Sequence, residues 1–150
     1  MDAVNAVSMD SDSNHAHRPV GSGFIPSSVA SVCIEGCDTD ISIMQFTDKL
    51  FIVVSQYKKL GTLVLVTKDV ANCDNTEKLV YTTKVLFGND EAEVHAAAKH
   101  MAMTIKTSKT VLLSLALKKF SPTIVRSIAA AVASELGTFN SPVHQNPCNT

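Results

Sequence analysis

The stretch DKLFIVVSQYKKLGTLVLV, residues 48–66, constrains this chain more than any other part of it. Two apolar runs, 50–54 and 63–66, are rich in Leu, Ile and Val and too short to be separate helices. They read as strands. Between them KKLG breaks the pattern and turns the chain, and Gly61 suits a positive φ. The two runs are therefore expected to meet at a solvated hairpin turn. No Cys, His, Asp or Glu lies inside either run. The best-built part of the sequence is thus without reactive groups.

More strands surround this pair. VASVCIE, a turn at GCD, and TDISIMQF read as the first two strands, and LVYTTKVLF as the fifth. The intervening DVANCDNTEK reads as a polar loop. Val94, Ala97, Ala98, Met101 and Ile105 then fall at i, i+3, i+4, i+7 and i+11, the spacing of one helix face. Asn89 or Asp90 is the expected cap. Glu91 and Glu93 suit the N-terminal end of the helix dipole, and Lys106 and Lys109 its C-terminal end. TVLLSLALK is a sixth strand. SPTIVRSIAAAVASELG is a second helix, with Ser121 as N-cap, Pro122 at the first position and Gly137 just past the end.

Five strands, a helix, a strand and a helix predict an α+β fold: about six strands, mostly antiparallel, with two helices on one face. The domain spans 29–137. Residues 1–28 and 138–150 are Ser-, Asn- and Pro-bearing segments without apolar periodicity, expected as disordered tails.

Alternation gives each strand two faces. Leu50, Ile52, Val54 and Gln56 share one face of the third strand; Phe51, Val53, Ser55 and Tyr57 share the other. In the sixth, Val111, Leu113, Leu115 and Leu117 oppose Thr110, Leu112, Ser114 and Ala116. In the fourth, Leu63 and Leu65 oppose Thr62, Val64 and Val66. A sheet with one wet face should be polar there. This one is apolar on both, so the face without helices is expected to dimerise. Coverage by the chain's own tails is the competing arrangement, and their polarity argues against it.

The search for chemistry returns little. With 150 residues and a net charge of -1, nothing draws the chain to nucleic acid or to an anionic membrane. No apolar run approaches the ~20 residues that span a bilayer. The N-terminus has neither signal-peptide nor transit-peptide character, so a cytoplasmic or nuclear setting is expected. In that setting Cys33, Cys37, Cys73 and Cys148 read as thiols, and Cys33–Cys37 lacks the second close pair a zinc site needs. His15 and His17 fall in the tail. His95 and His100, about 140° apart around a helix, are poorly placed to share a metal. His95 with Lys99 reads as a solvated helix flank, and NDEAE as helix-start electrostatics. The G-x-x-x-x-G-K-S/T and G-x-S-x-G motifs are absent. Neither metal, cofactor nor enzymatic activity is expected.

Two blocks, LFIVVSQYKKLGTLV and TTKVLFGNDEAEVHAAAKHM, resemble the proteasome assembly chaperone 3 family. The first carries Gln56, Tyr57, Lys59, Gly61, Thr62 and Leu63. The second carries residues 82–86, Gly88, Asp90, Glu91 and His95. The resemblance extends over 30–136, and the long Ser-rich N-terminus is additional to it. It implies a non-catalytic factor that pairs with a like-folded partner, proteasome assembly chaperone 4. The pair would escort α-type subunits while the 20S proteasome α-ring forms, and leave as the half-proteasome is built. A homodimer is the other available pairing. The expected partner-binding residues are Gln56, Tyr57, Lys58, Lys59, Leu60 and Gly61, a basic turn suited to steering an acidic partner. A dimeric scaffold of longin or roadblock type, serving trafficking or small GTPases, shares the construction. The order of elements and the two blocks favour the chaperone.

Overall fold

The computed structural model of the chain describes residues 25–141. Its elements are β1 (Ser27–Ile34), β2 (Cys37–Gln45), β3 (Lys49–Ser55), β4 (Thr62–Cys73), β5 (Thr76–Phe87), α1 (Ala92–Ile105), β6 (Thr110–Ala116) and α2 (Pro122–Asn140). The strands form one sheet in the order β1-β2-β3-β6-β4-β5. Every pairing is antiparallel except β3 with β6. Both helices lie on one face, and the expected α+β class holds.

The turn between β3 and β4 is not that of a hairpin. β6 enters between the two strands, pairing Phe51 with Leu112 on one side and Leu112 with Leu65 on the other. Both neighbours are apolar on both faces, which suits interior strands and leaves room for a third between them. The segment read as a polar loop is instead the tip of a true hairpin. Asp74 (φ 49) and Asn75 (φ 61) are both left-handed, the backbone that a two-residue type I′ turn requires. β4 and β5 therefore run on to Cys73 and from Thr76. The β1–β2 hairpin closes in the same way through Glu35 (φ 47) and Gly36 (φ 76).

The core lies between the sheet and the helices. Ile41, Ile43, Ile52, Val54, Val64 and Leu113 from the sheet are fully enclosed, as are Ala98 and Met101 of α1 and Ile128, Ala129 and Val132 of α2. The predicted helix faces are the buried ones, with Ile105 partly buried at the edge. Small residues at 97, 98 and 129 let the helices lie close to the sheet and to each other.

Three boundaries differ from expectation. β1 starts at Ser27, inside the expected tail; Ser28 is buried, and its hydroxyl donates to the Glu135 carboxylate of α2. α2 continues past Gly137 to Asn140 because Phe139 still packs on the core, and Asn140 Oδ1 accepts from Gln45 Nε2 at 2.7 Å. The cap of α1 is Glu91, without a side-chain bond, rather than Asn89 or Asp90. Asp90 is drawn away by His95. Ser121 does cap α2, accepting from Ile124 N, with Pro122 following it. The rest of the expected tails, with His15, His17 and Cys148, lies outside the described residues.

Candidate partner-binding site

Residues 56–61 are anchored to the sheet by side chains. Ser55 Oγ accepts from Tyr57 N (3.3 Å) and Lys59 N (3.0 Å) and donates to Lys59 O (2.8 Å). Gln56 Nε2 donates to Thr39 Oγ1 (3.1 Å), and Gln56 Oε1 accepts from Lys118 N (2.9 Å). Gly61 N donates to Ser114 Oγ (3.1 Å). Gly61 does not take the positive φ expected of it; Lys58 does, at 56°. Glycine is needed at 61 for proximity, since a Cβ there would lie 2.0 Å from the Leu115 carbonyl oxygen.

The six expected partner-binding residues thus divide. Gln56 and Gly61 face inward and build the turn. Tyr57 (50 % exposed) and Leu60 (68 % exposed) face solvent. Lys59 and Lys118 place their ammonium groups 5.4 and 5.9 Å from the centre of the Tyr57 ring, so the ring carries positive charge over its faces. Lys58 is tied to Asp40, Nζ to Oδ2 at 2.6 Å, and Ser31 Oγ donates to the same carboxylate at 2.5 Å. The Lys58 bond, then the Ser31 bond, holds the Asp40 carboxyl below its ordinary value; Asp40 in turn raises Lys58. Lys118 and Asp40 were not legible as part of this site, because strand register alone brings them to it.

The helix-free face is graded rather than uniformly apolar. Register aligns Met44, Phe51, Leu112 and Leu65 in one row across β2, β3, β6 and β4. The next row runs Val29, Ser42, Val53, Ser114, Leu63 and Phe87. The third, nearest the turn, is Ser31, Asp40, Ser55 and Ala116. An apolar band therefore crosses the sheet and gives way to polar groups beside the lysine-bearing turn. Phe87 (76 % exposed) and Val29 (60 % exposed) mark the ends of the middle row.

His95 departs from its expected place on a solvated flank. Its Nε2 lies 2.5 Å from Asp90 Oδ1 and its Nδ1 2.7 Å from Thr83 Oγ1. The connectivity is that of a hydroxyl–imidazole–carboxylate relay, but Thr83 lies mid-strand on the helix side of β5. The groove between β5 and α1, the cleft between α1 and α2 and the pocket beside Lys118 are lined by other residues. The trio clips the start of α1 to β5 and has no adjoining cavity among these for a substrate. Cys33, Cys37 and Cys73 are free thiols. Among the described residues no three His, Cys, Asp or Glu side chains converge as a metal site would require.

The family model for proteasome assembly chaperone 3 matches residues 52–135, from within β3 through most of α2 and including the turn. The chain belongs to the proteasome assembly chaperone 3 family. A proteasome assembly chaperone 3 of Nematostella vectensis is 33 % identical over 114 residues, covering 70 % of this chain and 84 % of that protein. That of Bos taurus is 31 % identical over 115 residues, covering 75 % and 93 %. That of Homo sapiens is 35 % identical over 86 residues, covering 55 % and 70 %. Among solved structures, a chain from the crystal structure of a novel chaperone complex for yeast 20S proteasome assembly aligns with a TM-score of 0.46 and 8 % identity, over 77 % of this chain and 97 % of that one.

Proposed function

We propose that this protein is a non-catalytic chaperone of 20S proteasome α-ring assembly, working in the cytoplasm and nucleus. In this reading it pairs through its open sheet face with a like-folded subunit of the proteasome assembly chaperone 4 type. The pair holds α-type subunits and leaves as assembly proceeds. The observation that carries the pairing is the continuous row Met44–Phe51–Leu112–Leu65 on a face without helices. A partner sheet stacked about 10 Å away would remove this row from water. Ser42 in the next row, partly exposed, adds polarity to the surface before pairing.

The turn fits the second contact. It is held in shape before a partner arrives, so little ordering cost is added on docking. Tyr57 and Leu60 offer apolar contact, and Lys59 and Lys118 favour an acidic counterpart. Such a small patch gives a releasable contact. Stabilising one α-subunit arrangement over its rivals requires only a difference in affinity, so no nucleotide is needed.

Affinity purification from cells at mild salt, followed by mass spectrometry, tests this reading. A same-sized partner together with proteasome α-subunits is the expected recovery. Their repeated absence would overturn it.

A further inference from the structure

A groove of about 710 Å³ lies between β5 and the C-terminal half of α1, away from both the turn and the open sheet face. Leu79, Tyr81 and Met103 form its apolar floor, and Val80 with the lysines Lys68, Lys78, Lys99 and Lys106 borders it. The helix contributes Lys99 and Met103 at i and i+4, and Lys106 follows as its left-handed C-cap. Register sets Lys68 opposite Tyr81. Leu79 and Met103 remain about half exposed, at 51 % and 50 %.

We propose that this groove docks an acidic segment of a partner protein through one apolar or aromatic side chain. The charge argument is local. The chain has 13 basic and 14 acidic residues overall, yet no carboxylate lines this groove. Among the described residues, none of the four lysines has a carboxylate partner, whereas Lys49 and Lys58 each do. Asp69 and Glu77, on the same two strands, do not line the groove. An anchor side chain would fill the half-exposed floor, and flanking carboxylates would meet the rim. The apolar floor suits a side chain better than a phosphate backbone. The volume lies within the ~300–1,000 Å³ of ordinary binding sites. β5 is also an edge strand, so an extended segment has unpaired main chain beside the groove to bond with.

The test uses the full chain and a fluorescein-labelled peptide of about ten glutamates and aspartates around one phenylalanine, followed by polarisation. Binding should weaken as salt rises from about 50 to about 200 mM. Lys78→Glu with Lys99→Glu should reduce affinity at least about tenfold. Met103→Gln should reduce it without changing the salt dependence. Sedimentation of the same samples reports pairing through the sheet face independently. Unchanged affinity in the double charge reversal would overturn the proposal. So would equal binding of a peptide with serine for phenylalanine, or a preference for phosphatidylserine vesicles or an oligonucleotide over the peptide.

Discussion

The turn at 56–61 and the hairpin tip at Asp74–Asn75 lie at opposite ends of the sheet and are held in different ways. The turn is fastened by the side chains of Ser55, Gln56 and Ser114, which bond to backbone or to Thr39, and by a glycine pressed against Leu115. The hairpin tip is held by its own ladder and by two left-handed residues. β6 supports β4 only as far as Val66, and beyond that point β4 and β5 form a two-stranded ribbon. A cross-linked turn keeps one shape at a cost spread through the core. A ribbon resting on its ladder can open locally while the remainder stays folded. The contact proposed at the turn is accordingly pre-formed, and the groove beside the ribbon has a compliant wall.

Gly61→Ala should break this contrast most severely. The added methyl meets backbone, which cannot move without disturbing β6, so a loss of about 3 kcal/mol is expected in urea unfolding. A loss below about 0.5 kcal/mol would mean the turn is as compliant as the ribbon. Asn75→Ala should cost about 1 kcal/mol, since alanine tolerates the left-handed conformation less well than asparagine. That loss should appear as faster amide exchange confined to 68–80, with the β3 and β6 amides unchanged. A uniform acceleration across the sheet would show that the ribbon and core open together.

The smallest effect should come from Lys58→Gln, which shortens the side chain by one atom, keeps the left-handed backbone cost and removes the charge. Asp40 is held below its ordinary value, so its share of stability is present above about pH 4 and fades as pH falls through the folded value. Lys58 is raised, so its share is present below about pH 10 and fades as pH rises through its folded value. Parent and variant should differ in urea midpoint between these limits and converge outside them. A difference that stays constant from pH 3 to pH 7 would assign the effect to something other than this pair.

Much of the fold was legible because burial imposes periodicity. Val94 to Ile105 and Val125 to Leu136 announced their helix faces, and β-branched runs announced the strands. Strand neighbours were less legible, because alternation shows which residues share a face but not which strand lies beside it. The sequence joins 55 to 62 through a short turn, yet β6 separates the two strands. The ribbon was missed where polarity outweighed turn chemistry: Asp74–Asn75 is a type I′ pair, and both residues tolerate the required backbone. At the candidate site, the turn was visible but the division of labour within it was not. Whether Gln56 faces a partner or Thr39 depends on a strand 17 positions earlier in the chain.

The position of β6 also sets an order of events during synthesis. β1–β2–β3 and β4–β5 are each built from local contacts, but the two groups share no strand pairing until 110–116 arrive and bond to both. A ribosome that has released only the first hundred residues presents two half-sheets with apolar, unpaired edges at β3 and β4. The last quarter of the chain closes them together, so a chain truncated before Thr110 should be a client of the cell's quality control rather than a smaller working domain.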